Sequence, residues 1–433
     1  MFGDHNDIVA ANISRRGFLK RSAGAGLIAA GLGSVPLVAR AQNANAVAPS
    51  ERITLGVIGC GPRSASDVGC FLAEPDVRVI AVCDTQRDRR NFHQQMVNTA
   101  YGDQSCQTHQ DFRELLARPD IDAVLIATGD RWHATASILA AAAGKDIYCE
   151  KPFSMTIVES RALANAMRRY GRVYQAGTQR RTIPNFIYAV ELAHSGKLGK
   201  LRSLHAHTLD PKTTQEWLPE QPLPPKDVID WDTWLGPAPW RPYNATYTAG
   251  GWRDHYDFHS GGILEWGSHT VDLCQWANKA DHTTPLEFTP TPGGAVARYA
   301  DGVELVMRGM GSGWLGLGTC SVRFEGDEGW IETGDSGQFM VSPDSLRSEL
   351  RIEVMAGTDP KYHVREFIRA VKTRSQPSAN AAVAAQSHIA CHAATIAWRM
   401  GRKLMFDPST DKFVDDAEAN RLCSRAMRDP WRV

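Results

Sequence analysis

The sequence predicts an α/β chain of two domains. A doubly wound parallel sheet comes first, followed by an α+β domain built on an open, mainly antiparallel sheet. Three observations carry this reading. An unbroken apolar run at 53–58 ends in Gly59-Cys60-Gly61. Apolar runs then alternate with helical patterns up to about residue 178. Beyond that point strand-like runs cluster together, and the helices collect toward the end. Alternation of the first kind implies right-handed βαβ units and a parallel sheet of the Rossmann type.

Ahead of the first strand lies SRRGFLK, residues 14–20. Paired Arg15 and Arg16 followed by Phe18, Leu19 and Lys20 match a twin-arginine export signal. An uncharged, Ala- and Gly-rich run occupies 22–39, and Ala39-Arg40-Ala41 supplies the small-x-small pattern that predicts cleavage before Gln42. A basic amphipathic terminus and an uncleaved anchor are the competing readings; the mild hydrophobicity and the cleavage pattern argue against the anchor. Residues 1–41 are therefore set apart as a signal peptide. The expected location is the periplasm or another exported compartment, with no stable membrane insertion after cleavage.

The full chain of 433 residues carries 48 basic and 48 acidic side chains. Segment 1–41 holds five of the former and two of the latter, which leaves 43 and 46. No basic face for nucleic acid is implied, and no polybasic membrane patch. The remaining length exceeds what one core organises, so two domains are expected, 50–178 and 179–433. Nine cysteines lack C-x-x-C or metal-finger spacing. Since a twin-arginine cargo folds in a reducing compartment, mostly free, buried thiols are expected.

Within 50–178, the glycine turn leads into a helix expected at 64–72, and such a strand–turn–helix offers backbone N–H groups to a pyrophosphate. Ser64 stands where a third glycine is usual. The run 77–83 is a second buried strand ending in Asp84, 25 residues after Gly59. A carboxylate there accepts from ribose hydroxyls and favours NAD over NADP. Arg87, Arg89 and Arg90 are nearby cations suited to a 2′-phosphate, and a plain helix cap is the structural alternative for Asp84. The alternation continues with a strand at 122–128, a helix at 132–143, a strand at 146–152, a helix at 157–170 and a strand at 172–178.

VIGCG (57–61), VCD (82–84), DAVLIAT (122–128) with His133 five residues on, and CEKP (149–152) together resemble the glucose–fructose oxidoreductase / inositol dehydrogenase (Gfo/Idh/MocA) family. The resemblance covers nearly all of 42–433. Gly129 departs from the proline usual after A-T. The resemblance implies an NAD-dependent enzyme whose EKP lysine, Lys151, lies beside nicotinamide and substrate. Together with the turn and Asp84, nucleotide contacts are assigned to Gly59, Cys60, Gly61, Arg63, Asp84, Thr128, His133, Glu150 and Lys151. Position agrees for Lys151, since a lysine at the C-terminal edge of a parallel sheet points into the ligand crevice.

A second cluster is HSGGILEWGSHTVDLCQW, residues 259–276. Glu265, His269 and Asp272 share one helix face. The family carries D-x-x-x-H here, with the histidine exchanging a proton on the reacting carbon's oxygen; Glu265 replaces the aspartate. His269 is the expected base, with Asp272 orienting its imidazole. A metal site from Glu265, His269 and Asp272, completed by His259, is the competing functional reading. Trp217, Trp231, Trp234, Trp240 and Trp252 crowd the preceding segment. They are read either as sugar-stacking rings or as pins for a long loop. Trp252, Arg253, Tyr256 and His259 are further substrate-side candidates.

In the second domain, strands are expected at 201–209, 303–309, 319–326 and 329–334, and helices near 362–372 and 382–399. In the family this sheet often packs on another subunit, which implies a homo-oligomer, dimer or tetramer. The expected activity is oxidation of a sugar or glycoside hydroxyl, at C3 in the exported branch, with NAD carried out bound to the folded protein. Redox-neutral glycoside cleavage by oxidation, elimination, hydration and re-reduction is the alternative. A non-catalytic sugar sensor is the alternative from another class.

Overall fold

The computed structural model describes residues 48–211, 214, 216–309, 316–349 and 360–432. The expected signal peptide lies outside these residues. Strands β1 (Ile53–Ile58), β2 (Val77–Cys83), β3 (Gln107–His109), β4 (Ala123–Ile126), β5 (Asp146–Cys149) and β6 (Tyr174–Ala176) form one sheet. Their order is β3-β2-β1-β4-β5-β6, with every pairing parallel. The order reverses between β1 and β4, so a crevice opens at their carboxyl ends. Both faces of the sheet are covered, which is why Leu55, Val57, Val124 and Leu125 are all fully buried.

The second sheet contains β7 (Leu201–His207), β8 (Glu287–Thr291), β9 (Gly294–Arg298), β10 (Glu304–Arg308), β11 (Val322–Gly326), β12 (Trp330–Thr333), β13 (Phe339–Ser342), β14 (Leu404–Asp407) and β15 (Lys412–Phe413). Its order is β13-β12-β11-β7-β10-β9-β8-β14-β15. Only β7–β10 is parallel among these pairings. The fold class is therefore as the sequence predicts, although β8, β9 and β13–β15 were not anticipated. Pro290 and the Pro292-Gly293 turn make β8 and β9 read as loop.

Two helices tie the sheets together. Gly262–Ala277 lies on β7, and Ala381–Met400 packs both on it and on Ile157–Tyr170. The helix Lys361–Thr373 turns its 3.6-period stripe, Val364, Phe367, Ile368 and Val371, into the core under β1, β2 and β4. A long strap before Gly262–Ala277 has a small core of its own: Trp231 and Trp234 stack at 4.6 Å against Tyr247 and Phe258. It is sewn to the rim of the first sheet by Arg87 N–H to Val228 O (2.9 Å), Asp230 N–H to Thr85 O (3.1 Å) and Trp132 Nε1–H to Thr233 O (3.0 Å). Trp231 and Trp234 are thus loop pins, while Trp217 and Trp240 are exposed. All nine cysteines are free thiols, eight of them buried and Cys70 half-buried.

His388 and His392 sit wholly inside on Ala381–Met400, and burial pushes them down to about 4 and about 3. Burial likewise lowers His269 and His363. The unfolded chain therefore binds protons that the fold refuses, and stability is lost as pH falls from about 6.5 toward 4, by up to about 1.4 kcal/mol per pH unit for each such histidine. Asp67 and Asp272, raised by burial, act in the opposite sense but are fewer. The melting temperature is expected to drop between about pH 7 and about pH 5; a flat or rising value by calorimetry would contradict this.

Candidate functional site

The turn after β1 is shaped by close approach. Gly59 has φ +89°, and a Cβ there would stand 2.6 Å from Thr128 N and 2.7 Å from Ala127 O. Asp84, at the end of β2, locks the turn: its carboxylate accepts from Cys60 N–H and from Gln86 N–H, both at 2.8 Å. Gly61 caps the helix Pro62–Leu72, whose N-terminus opens on the crevice. A cleft of about 340 Å³ runs from this turn past Arg63, Asp84 and Thr128, and is roofed by Thr233, Trp234, Gly250 and Trp252 of the strap. The bare backbone at Gly59 and Gly61, the helix terminus and the Asp84 carboxylate fit a dinucleotide, with pyrophosphate at the turn and ribose at Asp84. Arg87 and Arg90 are drawn to Asp227 of the strap, whereas Arg89 lines the cleft and donates to Thr248 O.

Three expected nucleotide contacts are placed differently. Cys60 contributes only backbone, because its thiol points inward at Cys83 O and burial raises it. The His133 ring lies beneath the cleft, 2.7 Å from Pro152 O and 3.2 Å from Thr128 O, where it joins the loops after β4 and β5. Glu150 is also internal, held by Arg63 Nε (2.9 Å) and Gln179 Nε2 (2.7 Å). Burial would raise it, but Arg63 and Lys151 outweigh that and keep it below the usual carboxylate range.

A second cavity of about 260 Å³ continues from the first across Arg63, Thr128, Trp252 and Arg253. Here Lys151, just past β5, donates from Nζ to both Glu265 Oε1 and Glu265 O at 2.8 Å. His269, one turn beyond Glu265, accepts at Nε2 from Arg180 Nη1 (3.1 Å). A guanidinium only donates, so the His269 proton sits on Nδ1, which is buried without a hydrogen-bond partner. Burial, then Arg180, Lys151 and Arg63, depress this imidazole well below the ordinary histidine value, and it is neutral.

Asp272 does not orient His269. Its carboxylate is clamped by Arg181 (2.6 and 2.9 Å) and Ser387 Oγ (2.6 Å), because a fully buried guanidinium takes the nearest anion. Glu265 faces Lys151, so the three residues of the competing metal reading do not converge on one point. His259 Nδ1 lies 2.7 Å from Asp130 Oδ2, and its Nε2 lies 3.9 Å from Glu265 Oε2. Trp252 and Arg253 line both cavities, while the Tyr256 ring is covered by Arg399 at 4.1 Å. Asp130, Arg180 and Arg181 were missed. Arg180-Arg181 sit in the short turn Gln179–Thr182 just past the last parallel strand, and the edge argument used for Lys151 extends to them.

The chain matches two family models: the oxidoreductase family's NAD-binding Rossmann fold over residues 53–178, and its C-terminal alpha/beta domain over residues 211–433. It is 31% identical over 163 residues to the uncharacterized oxidoreductase YrbE of Bacillus subtilis, covering 38% of this chain and 46% of that protein. It is 26% identical over 309 residues to a glycosyl hydrolase family 109 protein of Saccharopolyspora erythraea, covering 66% of this chain and 60% of that protein. The chain thus spans about half the length of these curated relatives. A solved levoglucosan dehydrogenase, in complex with NADH and levoglucosan, superposes with TM-score 0.60 at 18% identity over 82% of this chain and 99% of that one.

Two substitutions test the geometry. Gly59→Ala forces a Cβ onto the backbone of the loop after β4; it is expected to weaken NAD binding at least about tenfold by fluorescence titration, and to cost more than about 1 kcal/mol of stability. Arg181→Leu leaves Asp272 and Asp281 without their buried cation and is expected to cost about 3–5 kcal/mol in urea unfolding. Wild-type affinity in the first or wild-type stability in the second would contradict the placement.

Proposed function

This chain belongs to the Gfo/Idh/MocA family of oxidoreductases, with an NAD-binding Rossmann domain, and from that premise we propose that it oxidises a hydroxyl of a sugar or glycoside. The observation that carries this reading is the continuity of the two cavities: Lys151 and His269 face a polar chamber that opens directly on the nucleotide cleft at Thr128 and Trp252. The bound nicotinamide supplies the two-electron oxidising power. Lys151 spends two donations on Glu265, and its third N–H is left for the substrate oxygen. Arg180, Arg253 and Asp130 offer polar groups around that oxygen. Trp252 and Trp266 offer ring faces to sugar C–H bonds. The resemblance to levoglucosan dehydrogenase accords with a carbohydrate substrate.

A second reading, redox-neutral glycoside cleavage through a C3 ketone, is favoured by the strap that roofs the nucleotide cleft and by the family 109 relative. A retained cofactor must be returned to its starting state in place. Export through the SRRGFLK signal, with NAD loaded beforehand, accords with this, as does assembly into a homo-oligomer for durable retention.

Purified protein is to be incubated with NAD, myo-inositol and a panel of nitrophenyl glycosides while nicotinamide absorbance and nitrophenol release are recorded together. Nucleotide reduction without phenol release is the outcome for the first reading, and phenol release without net reduction for the second. Lys151→Ala is expected to lower either rate at least about 100-fold. A protein that binds NAD and sugar but changes neither signal would be a sensor, and the proposal would fail.

A further inference from the structure

The chamber holds two imidazoles in opposite surroundings. His269 is ringed by cations, with Arg180 donating to its Nε2 at 3.1 Å and Lys151 and Arg63 close by. Its only lone pair is already engaged. His259 is ringed by anions, with Asp130 at 2.7 Å on Nδ1 and Glu265 at 3.9 Å from Nε2. An ionised carboxylate only accepts, so Asp130 fixes the His259 proton on Nδ1 and turns the Nε2 lone pair toward Glu265. Asp130 itself is kept ionised: burial would raise it, but His259, with His133 and Lys151 behind, holds it below the usual range. Arg131 follows Asp130 in the chain and interacts with it electrostatically, and Arg425 donates to Arg131 O at 3.0 Å.

We propose that the proton released when a sugar hydroxyl is oxidised in this chamber comes to rest on His259 Nε2, handed on by Glu265, with Asp130 as the positioning residue. The inference rests on the sugar-oxidising reading. The O–H bond breaks, its electron pair stays on the oxygen that becomes the carbonyl, and the proton passes to the Glu265 carboxylate and then to the imidazole. The C–H bond on the same carbon also breaks, and its hydrogen leaves with the bonding pair as a hydride that a nicotinamide held in the neighbouring cleft would accept. Lone pairs decide the destination: the His259 Nε2 lone pair is turned toward Glu265 with Asp130 on the opposite ring nitrogen, whereas the His269 Nε2 lone pair already accepts from Arg180. The 3.9 Å gap to Glu265 exceeds hydrogen-bond reach and is expected to close once the ring is charged.

The test begins without substrate. Long-range ¹H–¹⁵N spectra of the ¹⁵N-histidine-labelled full chain are recorded as pH is lowered, and the two rings are assigned by their loss in His259→Asn and His269→Asn. Both rings are expected as Nδ1–H tautomers, with His269 staying neutral as pH is lowered; Asp130→Asn should disturb the His259 Nδ1–H signal and leave His269 unmoved. An Nε2–H tautomer at His259, protonation of His269 on its Nε2, or no response to Asp130→Asn overturns the assignment, and Asp130→Asn carries the test alone if His259→Asn does not fold. In the second arm, with NAD and the glycoside panel, Asp130→Asn is expected to lower kcat roughly 100-fold while changing KM far less. An unchanged kcat overturns the relay. Absence of turnover by the wild type, with the tautomers as expected, sinks the sugar reading and not the assignment of the two rings.

Discussion

One ion pair joins what the two sheets build. Lys151 leaves the edge of β5, Glu265 rises from the helix laid on β7, and they meet at 2.8 Å with the lysine also capping the glutamate's own carbonyl. The pair is only partly exposed, so removing either partner leaves a poorly solvated charge. Its position fixes the direction of the remaining lysine proton and the orientation of the glutamate's second oxygen. Everything else in the chamber is arranged around that: cations Arg63 and Arg180 on one side, the Asp130–His259 pair on the other.

Such a charge-dense interior is tolerated because each ion is answered. Arg180 is held by Asp335, Arg181 by Asp272 and Asp281, and Arg63 by Glu150 and Asp67. These pairs add little net stability over an apolar core, but they hold rings and carboxylates in single orientations. The strap contributes in another way. Its aromatic core and its backbone bonds to the β2–β3 rim close a nucleotide cleft that the Rossmann sheet by itself leaves open, so the cleft and the polar chamber share one framework.

Much of this was legible in the sequence because it is local. The glycine turn, the acidic strand end at Asp84, Lys151 at the sheet edge and the helix Ile157–Tyr170 follow from short-range pattern. What stayed hidden is long-range pairing. Asp130 and His259 are 129 residues apart, and Arg180 and His269 are 89 apart; no spacing rule joins them. Helical spacing placed Asp272 near His269 correctly but was silent about Arg181, which captures it. Lys361–Thr373 showed its apolar stripe without revealing that the stripe covers the first sheet.

The central claim is that sugar carbon and nicotinamide meet in one continuous chamber. The most direct measurement supplies the holoenzyme with perdeuterated glucose and its perdeuterated phenyl glycoside, quenches early, and weighs the extracted nucleotide by mass spectrometry. The account predicts reduced nucleotide carrying one deuterium delivered as deuteride, whether the reaction ends in net oxidation or returns the cofactor. Deuterium that stays wholly on the sugar or washes into water, while the nucleotide mass never changes, would contradict it.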